Sequence, residues 1–135
     1  MEVYGVNLLA VLLATIVGMA LGALWYSPIL FGNKWMQCIG KTQETLGSAT
    51  GPMIGSVIAS LLSAIGVALL SVYIDISSLS MAILVGMILG CLIIFPAFLS
   101  DNLFCGWGKT LLLIQTGYRA LSLLLMTIVY FYVAK

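Results

Sequence analysis

Long apolar stretches separated by short polar connections dominate the pattern of this chain. No charged residue occurs between Glu2 and Lys34, and the apolar run over residues 8–26 is close to the ~20 residues needed to cross a bilayer core. Three further apolar runs cover residues 52–73, 79–99 and 110–133. The pattern therefore predicts an all-α membrane protein with four transmembrane helices, forming a single domain over residues 1–135.

The connection after the first apolar run is too long for a plain turn. Within it, Phe31, Trp35 and Ile39 recur at four-residue spacing, opposite polar side chains. This spacing is typical of a short amphipathic helix lying in the headgroup layer, at about residues 29–40. An irregular loop with scattered aromatic side chains is the alternative interpretation.

The composition narrows the class of protein further. Hydrophobic residues make up 63% and charged residues 7% of the chain, whereas roughly a quarter of the residues in a soluble domain are charged. Nucleic acid is excluded as a partner, because five basic residues against four acidic ones cannot form a surface that follows phosphates. What remains is a protein whose main partner is the lipid bilayer.

The sequence contains few of the residue types that enzymatic catalysis uses. The chain has no histidine, which removes the usual general base and nearly every zinc site. Cys38, Cys91 and Cys105 lack Cys-x-x-Cys spacing, so they indicate free thiols. We therefore expect no catalytic residues, no metal and no cofactor.

The lysines predict the orientation of the helices. Lys34, Lys41 and Lys109 lie in the first and third connections, and basic residues in short loops are retained on the cytoplasmic side. The prediction is a multi-pass protein of the inner (cytoplasmic) membrane with both termini outside the cytoplasm.

A sequence block in the first span recurs in the third. Residues 18–28 match residues 86–96 at six of eleven positions, at a constant offset of 68 residues. This indicates two helical hairpins in parallel orientation. Pro28 is expected to end the first span, and Pro96 to kink the third span or end it early.

Each block contains a Gly-x-x-x-Gly motif, which lets two transmembrane backbones approach closely. The motif residues are Gly18 and Gly22 in the first block, and Gly86 and Gly90 in the second. We expect these glycines at helix-packing contacts. They face either each other inside one four-helix bundle or a second copy of the chain, which makes a homo-oligomer the expected assembly.

The polar side chains inside the spans are the only candidates for a functional site. Arg119 lies near the middle of the fourth span, where a cation costs roughly 2.5–3.5 kcal/mol on insertion scales. The polar residues that share its helix face or its depth are Gln115, Ser122, Ser60 and Ser63. The serines indicate either helix packing or a polar pathway.

Three environments are open for Arg119. Its side chain extends to the headgroups on the cytoplasmic side, pairs with Asp101 if Pro96 lets residues 97–109 dip back into the membrane, or faces a water-filled cavity that admits an anion.

An interfacial motif ends the first span, with aromatic residues on both sides of a proline. It comprises Trp25, Tyr26, Pro28, Phe31 and Trp35. Together with residues 101–104 and 115–119, the segment 22–36 resembles the bacterial membrane proteins grouped as domain of unknown function 1761, and the resemblance covers essentially the whole chain. It implies a small four-helix integral membrane protein and supplies no activity. Where members often carry an acidic residue in the third connection, this chain has Cys105-Gly106-Trp107.

These features predict a self-associating protein with a transport or channel-like role in the region of Arg119. Four helices enclose little space, so a pathway would form at an oligomer axis or between the two hairpins. The alternative is a structural or accessory subunit that binds lipid or a partner membrane protein. The sequence does not identify a small-molecule or ion substrate.

Overall fold

The computed structural model describes residues 1–135 and confirms the all-α architecture. Four of its five helices are long and apolar enough to cross a membrane. The helices are α1 (Leu8–Trp25), α2 (Gly32–Ile39), α3 (Thr50–Tyr73), α4 (Leu79–Cys105) and α5 (Lys109–Val133). The short helix α2 lies within the segment where the aromatic spacing predicts an amphipathic helix, and it ends at Gly40 in the left-handed conformation.

A two-stranded hairpin precedes α1 and was not predicted from the sequence. Strands β1 (Glu2–Val3) and β2 (Val6–Asn7) pair antiparallel. Tyr4 and Gly5 between them have φ angles of 53° and 78°, as a two-residue type I′ turn requires. Asn7 then caps α1, since its side chain accepts a hydrogen bond from the backbone N–H of Ala10.

Helix α5 is the centre of the molecule. It packs against α1, α3 and α4, while α1 and α3 also pack on each other. Helix α4 has its main contacts along α5. The core consists largely of small side chains at the α1–α3–α5 contact, closed by Met126 and Tyr130 of α5. Most large apolar side chains of the spans consequently face outward, as a protein surrounded by lipid requires.

Helix α4 is longer than the 79–99 span predicted from the sequence. It continues through Pro96 to Cys105, and the residues just before the proline, Ile88–Ile94, form a π-helical segment. Proline lacks an N–H donor and crowds the preceding turn, and a wider π turn accommodates both effects. The helix therefore does not end early at Pro96.

The glycines of α1 lie against α5. A Cβ on Gly18 would collide with Met126 and would lie 2.7 Å from the Ser60 hydroxyl oxygen. A Cβ on Gly22 would lie 3.0 Å from the hydroxyl oxygen of Tyr118. Helix α1 can approach α5 this closely only because these two positions carry no side chain.

The glycines of α4 lie against another side of the same helix. A Cβ on Gly86 would lie 2.7 Å from the Cα of Leu124, and one on Gly90 would lie 2.6 Å from the Cα of Ala120. The two Gly-x-x-x-Gly motifs thus both face α5 within one chain, rather than each other. The two repeated blocks share a function in packing onto one central helix.

Candidate functional site

The contacts between α1 and α5 fix the depth of Arg119 in the bundle. The indole N–H of Trp25, the last residue of α1, donates to the carbonyl of Ile114 at 2.9 Å. A Cβ on Gly117 would lie 2.9 Å from the same indole ring. Arg119 is two to five residues further along α5, which is about 3–8 Å at the helical rise. It therefore lies close to the level at which α1 ends, in the half of the bundle that carries α2. The end of the bundle at α2 is here termed the α2 end.

Arg119 is exposed on the outside of the bundle, with half-buried Gln115 one turn earlier. Its guanidinium carbon lies 5.4 Å from the centroid of the Tyr118 ring. That ring packs edge-on against Tyr26 at 5.5 Å, and Tyr26 packs edge-on against Trp35 at 5.5 Å. We call this row, which links α2, α1 and α5, the aromatic row. Arg119 supplies a cation beside Tyr118, at the inner end of the aromatic row.

The two tyrosine hydroxyls of the aromatic row have different surroundings. The Tyr118 hydroxyl donates to the backbone carbonyl of Gly18 at 3.1 Å and so joins α5 to α1. Tyr26 is the first residue beyond α1, and burial raises the pKa of its hydroxyl, while the nearby positive charge of Arg119 acts in the opposite direction.

The interfacial motif builds the turn that carries α2 back to α5. The backbone N–H of Phe31 donates to the carbonyl of Trp25 at 3.0 Å, and the two rings lie 4.7 Å apart. A Cβ on Gly32 would collide with the carbonyl of Tyr26, so the turn closes only around glycine. Pro28 lies in this turn and is exposed. The motif thereby places Trp35 beside Tyr26.

Two of the serines predicted near Arg119, Ser60 and Ser122, are buried inside the bundle. The Ser60 hydroxyl donates to the carbonyl of Thr15 at 3.0 Å. Ser60 and Ser122 both contact Gly18, so the structure brings these two serines together at the α1–α3–α5 contact. Ser63 is half-buried. Ser60, Ser122 and Met126 are all buried at this depth, where α1, α3 and α5 pack together.

Asp101 lies far from Arg119. The side-chain amide of its neighbour Asn102 donates to the carbonyl of Gly108 at 3.0 Å, which places Asp101 level with the start of α5. Ten residues of α5, about 15 Å, separate that level from Arg119. The two charges therefore do not pair, although both are exposed.

The first part of α3 is the least covered segment of the spans. Residues 50–58 are all exposed, and Gly51 and Gly55 face open space. This half of α3 therefore has little contact with the rest of the chain. Within a bilayer its cover comes from lipid or from another protein chain.

The sequence did not indicate that Tyr118 and Thr15 take part in contacts between helices. It also did not indicate that Tyr26 packs against Tyr118. Two features of the sequence could have drawn attention to Tyr118. It directly precedes Arg119, and it lies four residues from both Ile114 and Ser122 in the same helix. That spacing shows a shared helix face, but it does not show which residue of another helix lies opposite.

Comparison with known proteins places the chain in one family. The family profile described as "Protein of unknown function (DUF1761)" matches residues 9–131. No curated protein and no solved structure matches the chain.

Proposed function

This chain belongs to the DUF1761 family, and we propose that it is an accessory protein of the cytoplasmic membrane that acts by binding lipid or another membrane protein. The positions of Lys34, Lys41 and Lys109 support an orientation with the α2 end on the cytoplasmic side. Both termini then lie outside the cytoplasm. In this arrangement the aromatic row lies at the cytoplasmic membrane surface.

One observation carries this proposal: the polar residues are divided between the inside and the outside of the bundle. Ser60 and Ser122 take part in helix packing, whereas Arg119 is exposed on the outer surface. A polar route through a single copy would need them on one continuous inner surface. An exposed cation on a membrane span instead favours a ligand or partner that approaches from outside the bundle.

Reconstitution into liposomes tests the accessory role. We expect liposomes containing the purified protein alone to be no more permeable to chloride or phosphate than empty liposomes. An anion flux that is present in the parent and absent in Arg119→Leu would contradict the accessory role. Lys109→Leu is the matched control, because Lys109 is another basic residue of the same helix and is exposed at its first position.

A self-associating transporter or channel-like protein is the second candidate. It is favoured by residues 50–58 of α3, because a second copy packed there would cover a helix segment that this chain leaves exposed. Native mass spectrometry separates the two candidates. A transporter of this kind predicts a defined oligomer together with flux, whereas the accessory role predicts bound lipid or a partner without flux.

A further inference from the structure

We propose that Arg119 and the aromatic row form a binding site for a phosphate group at the cytoplasmic surface of the membrane, supplied by the headgroup of a phospholipid. This inference rests on the proposed accessory function and names the ligand class. Three features of the structure lead to it: the depth of Arg119, the form of its surroundings and the absence of a neighbouring carboxylate.

The depth suits a lipid phosphate. Arg119 lies about 3–8 Å inside the level of the Trp25 side chain. We place the membrane boundary at Trp25, because tryptophan is enriched at the membrane–water interface and the Trp25 indole contacts α5 directly. Side chains on a helix tilt toward its N-terminus, which for α5 is the α2 end. The long side chain of Arg119 is therefore able to carry its guanidinium to the phosphate layer.

The surroundings suit an anion better than a cation. The guanidinium lies beside the Tyr118 ring, which holds it through a cation–π contact and leaves its N–H donors available. Tyr26 is next to Tyr118 in the aromatic row and adds a second hydroxyl to it. Half-buried Gln115 adds an amide donor one turn nearer the α2 end. These are the donor types that bind phosphate oxygens.

No carboxylate competes for Arg119. Asp101 is about 15 Å away in depth. Glu44, the other acid of the cytoplasmic side, lies exposed in the connection between α2 and α3. A guanidinium in this position can donate two parallel hydrogen bonds to the oxygens of one phosphate. Water in a partly apolar setting does not provide an equivalent pair of acceptors. The phosphate is therefore the best partner for this cation.

The geometry favours a lipid over free phosphate as the source. Arg119 is on the outer surface of the bundle, where acyl chains lie against apolar spans, and the aromatic row extends from it toward α2. A phospholipid can place its chains along α5 and its phosphate at Arg119 at the same time. Free phosphate would have to leave water to reach the same point.

Thermal unfolding of the purified protein in detergent, followed with added ligand, tests the site. The ligands are dioleoylphosphatidylglycerol, dioleoylglycerol with the same chains and no phosphate, and inorganic phosphate. We expect stabilisation by the phospholipid and none by dioleoylglycerol. In Arg119→Gln the apparent affinity for the phospholipid should fall at least about tenfold. In Arg119→Lys the loss should be smaller, because a lysine binds phosphate as a point charge.

Lys109→Gln is the matched control. Lys109 is a basic residue of the same helix, exposed at its first position, and its replacement should leave the affinity of the phospholipid within about twofold of the parent. Stabilisation by inorganic phosphate to the same extent as by the phospholipid would support the phosphate site and assign it a soluble source. Equal stabilisation by dioleoylglycerol, or an Arg119→Gln variant that binds as the parent does, would overturn the proposal.

The outcomes for the site and for the accessory role are distinguishable. Loss of phospholipid binding in Arg119→Gln with no anion flux in the parent supports both. Flux in the parent contradicts the accessory role alone, because the lipid measurement does not depend on transport. If Arg119→Gln fails to fold, Tyr26→Phe provides a second variant, for which we expect about a threefold loss of affinity. Unchanged affinity in that variant would then count against the site.

Discussion

Two adjacent residues of α5 have opposite roles. Tyr118 points toward α1 and donates its hydroxyl proton to the carbonyl of Gly18 at 3.1 Å. Arg119 points away from the bundle and is exposed. Because successive residues of a helix are rotated by about 100°, one turn can join the bundle together and present a charge to its surroundings. The guanidinium of Arg119 also lies over the Tyr118 ring, so the residue that presents the charge is in contact with the residue that joins the helices.

Removal of the Tyr118 hydroxyl should destabilise the bundle by a small amount. Hydrogen bonds between transmembrane helices contribute about 0.6 kcal/mol on average, so Tyr118→Phe should lower the free energy of unfolding by about that value. Thermal unfolding in detergent measures the change. Tyr132→Phe is the control, because Tyr132 is 57% exposed and should show no effect. Equal stability of Tyr118→Phe and the parent would show that the bond to Gly18 adds nothing.

At the scale of elements, one helix organises the others. Helices α1 and α4 carry the repeated block, and each uses its glycines to approach α5 from a different side. The π-helical segment of α4 includes Gly90, at one of the two positions where α4 approaches the backbone of α5 closely. The sequence showed that these glycines serve close packing. It did not show that both pairs have the same partner helix.

Substitution of Gly90 by alanine should therefore be destabilising. The new methyl group would lie 2.6 Å from the Cα of Ala120, and such overpacking costs about 1–3 kcal/mol. Denaturation in detergent should show a lower melting temperature for Gly90→Ala. Gly55→Ala is the matched control on α3, where nothing lies within 4 Å of the added Cβ. We expect it to be as stable as the parent or slightly more so, since alanine favours helix.

These two variants also test the packing on α5. A Gly90→Ala protein that unfolds at the same temperature as the parent would mean that α4 moves away from α5 at no cost. A Gly55→Ala protein with a clearly lower melting temperature would mean that the first part of α3 is covered in the assembled protein.

The whole molecule depends on a bilayer. Only 25 of 135 residues are buried, and the outward faces of the four spans are apolar. In water such a chain would expose large apolar surfaces, whereas lipid covers them without cost. Apart from Arg119, the few charged residues lie outside the spans or within about one turn of their ends, and the lysines among them are the basis of the proposed orientation.

The orientation predicts the accessibility of the cysteines. Cys38 at the end of α2 and Cys105 at the end of α4 should both be cytoplasmic and reduced. A membrane-impermeant thiol reagent added to intact cells should leave them unmodified. Ser77→Cys, in the exposed connection between α3 and α4, is the positive control and should react before lysis. Labelling of Cys38 or Cys105 in intact cells would reverse the proposed orientation.

The sequence by itself determined the class of protein, the number of spans and the position of the interfacial helix. These follow from local properties: a run of apolar side chains near Leu8–Trp25 or Lys109–Val133 must become a helix in lipid, because its backbone has no other way to satisfy its hydrogen bonds. The family could be recognised for the same reason, because the interfacial motif is a contiguous stretch of sequence.

Only the tertiary structure decided which helices meet and where each polar side chain lies. In lipid the apolar faces of a helix differ little in energy, so periodicity alone cannot select the partner of Gly18 or Gly90. The selection depends on side chains from distant parts of the chain, such as Tyr118 and Ala120. Arg119 and Ser60 were expected to share a polar region, but the rotation of α5 about its axis turns Arg119 outward, while Ser60 of α3 points into the bundle. That rotation is fixed by the packing of α5 against α1, α3 and α4 together, which no single segment of sequence contains.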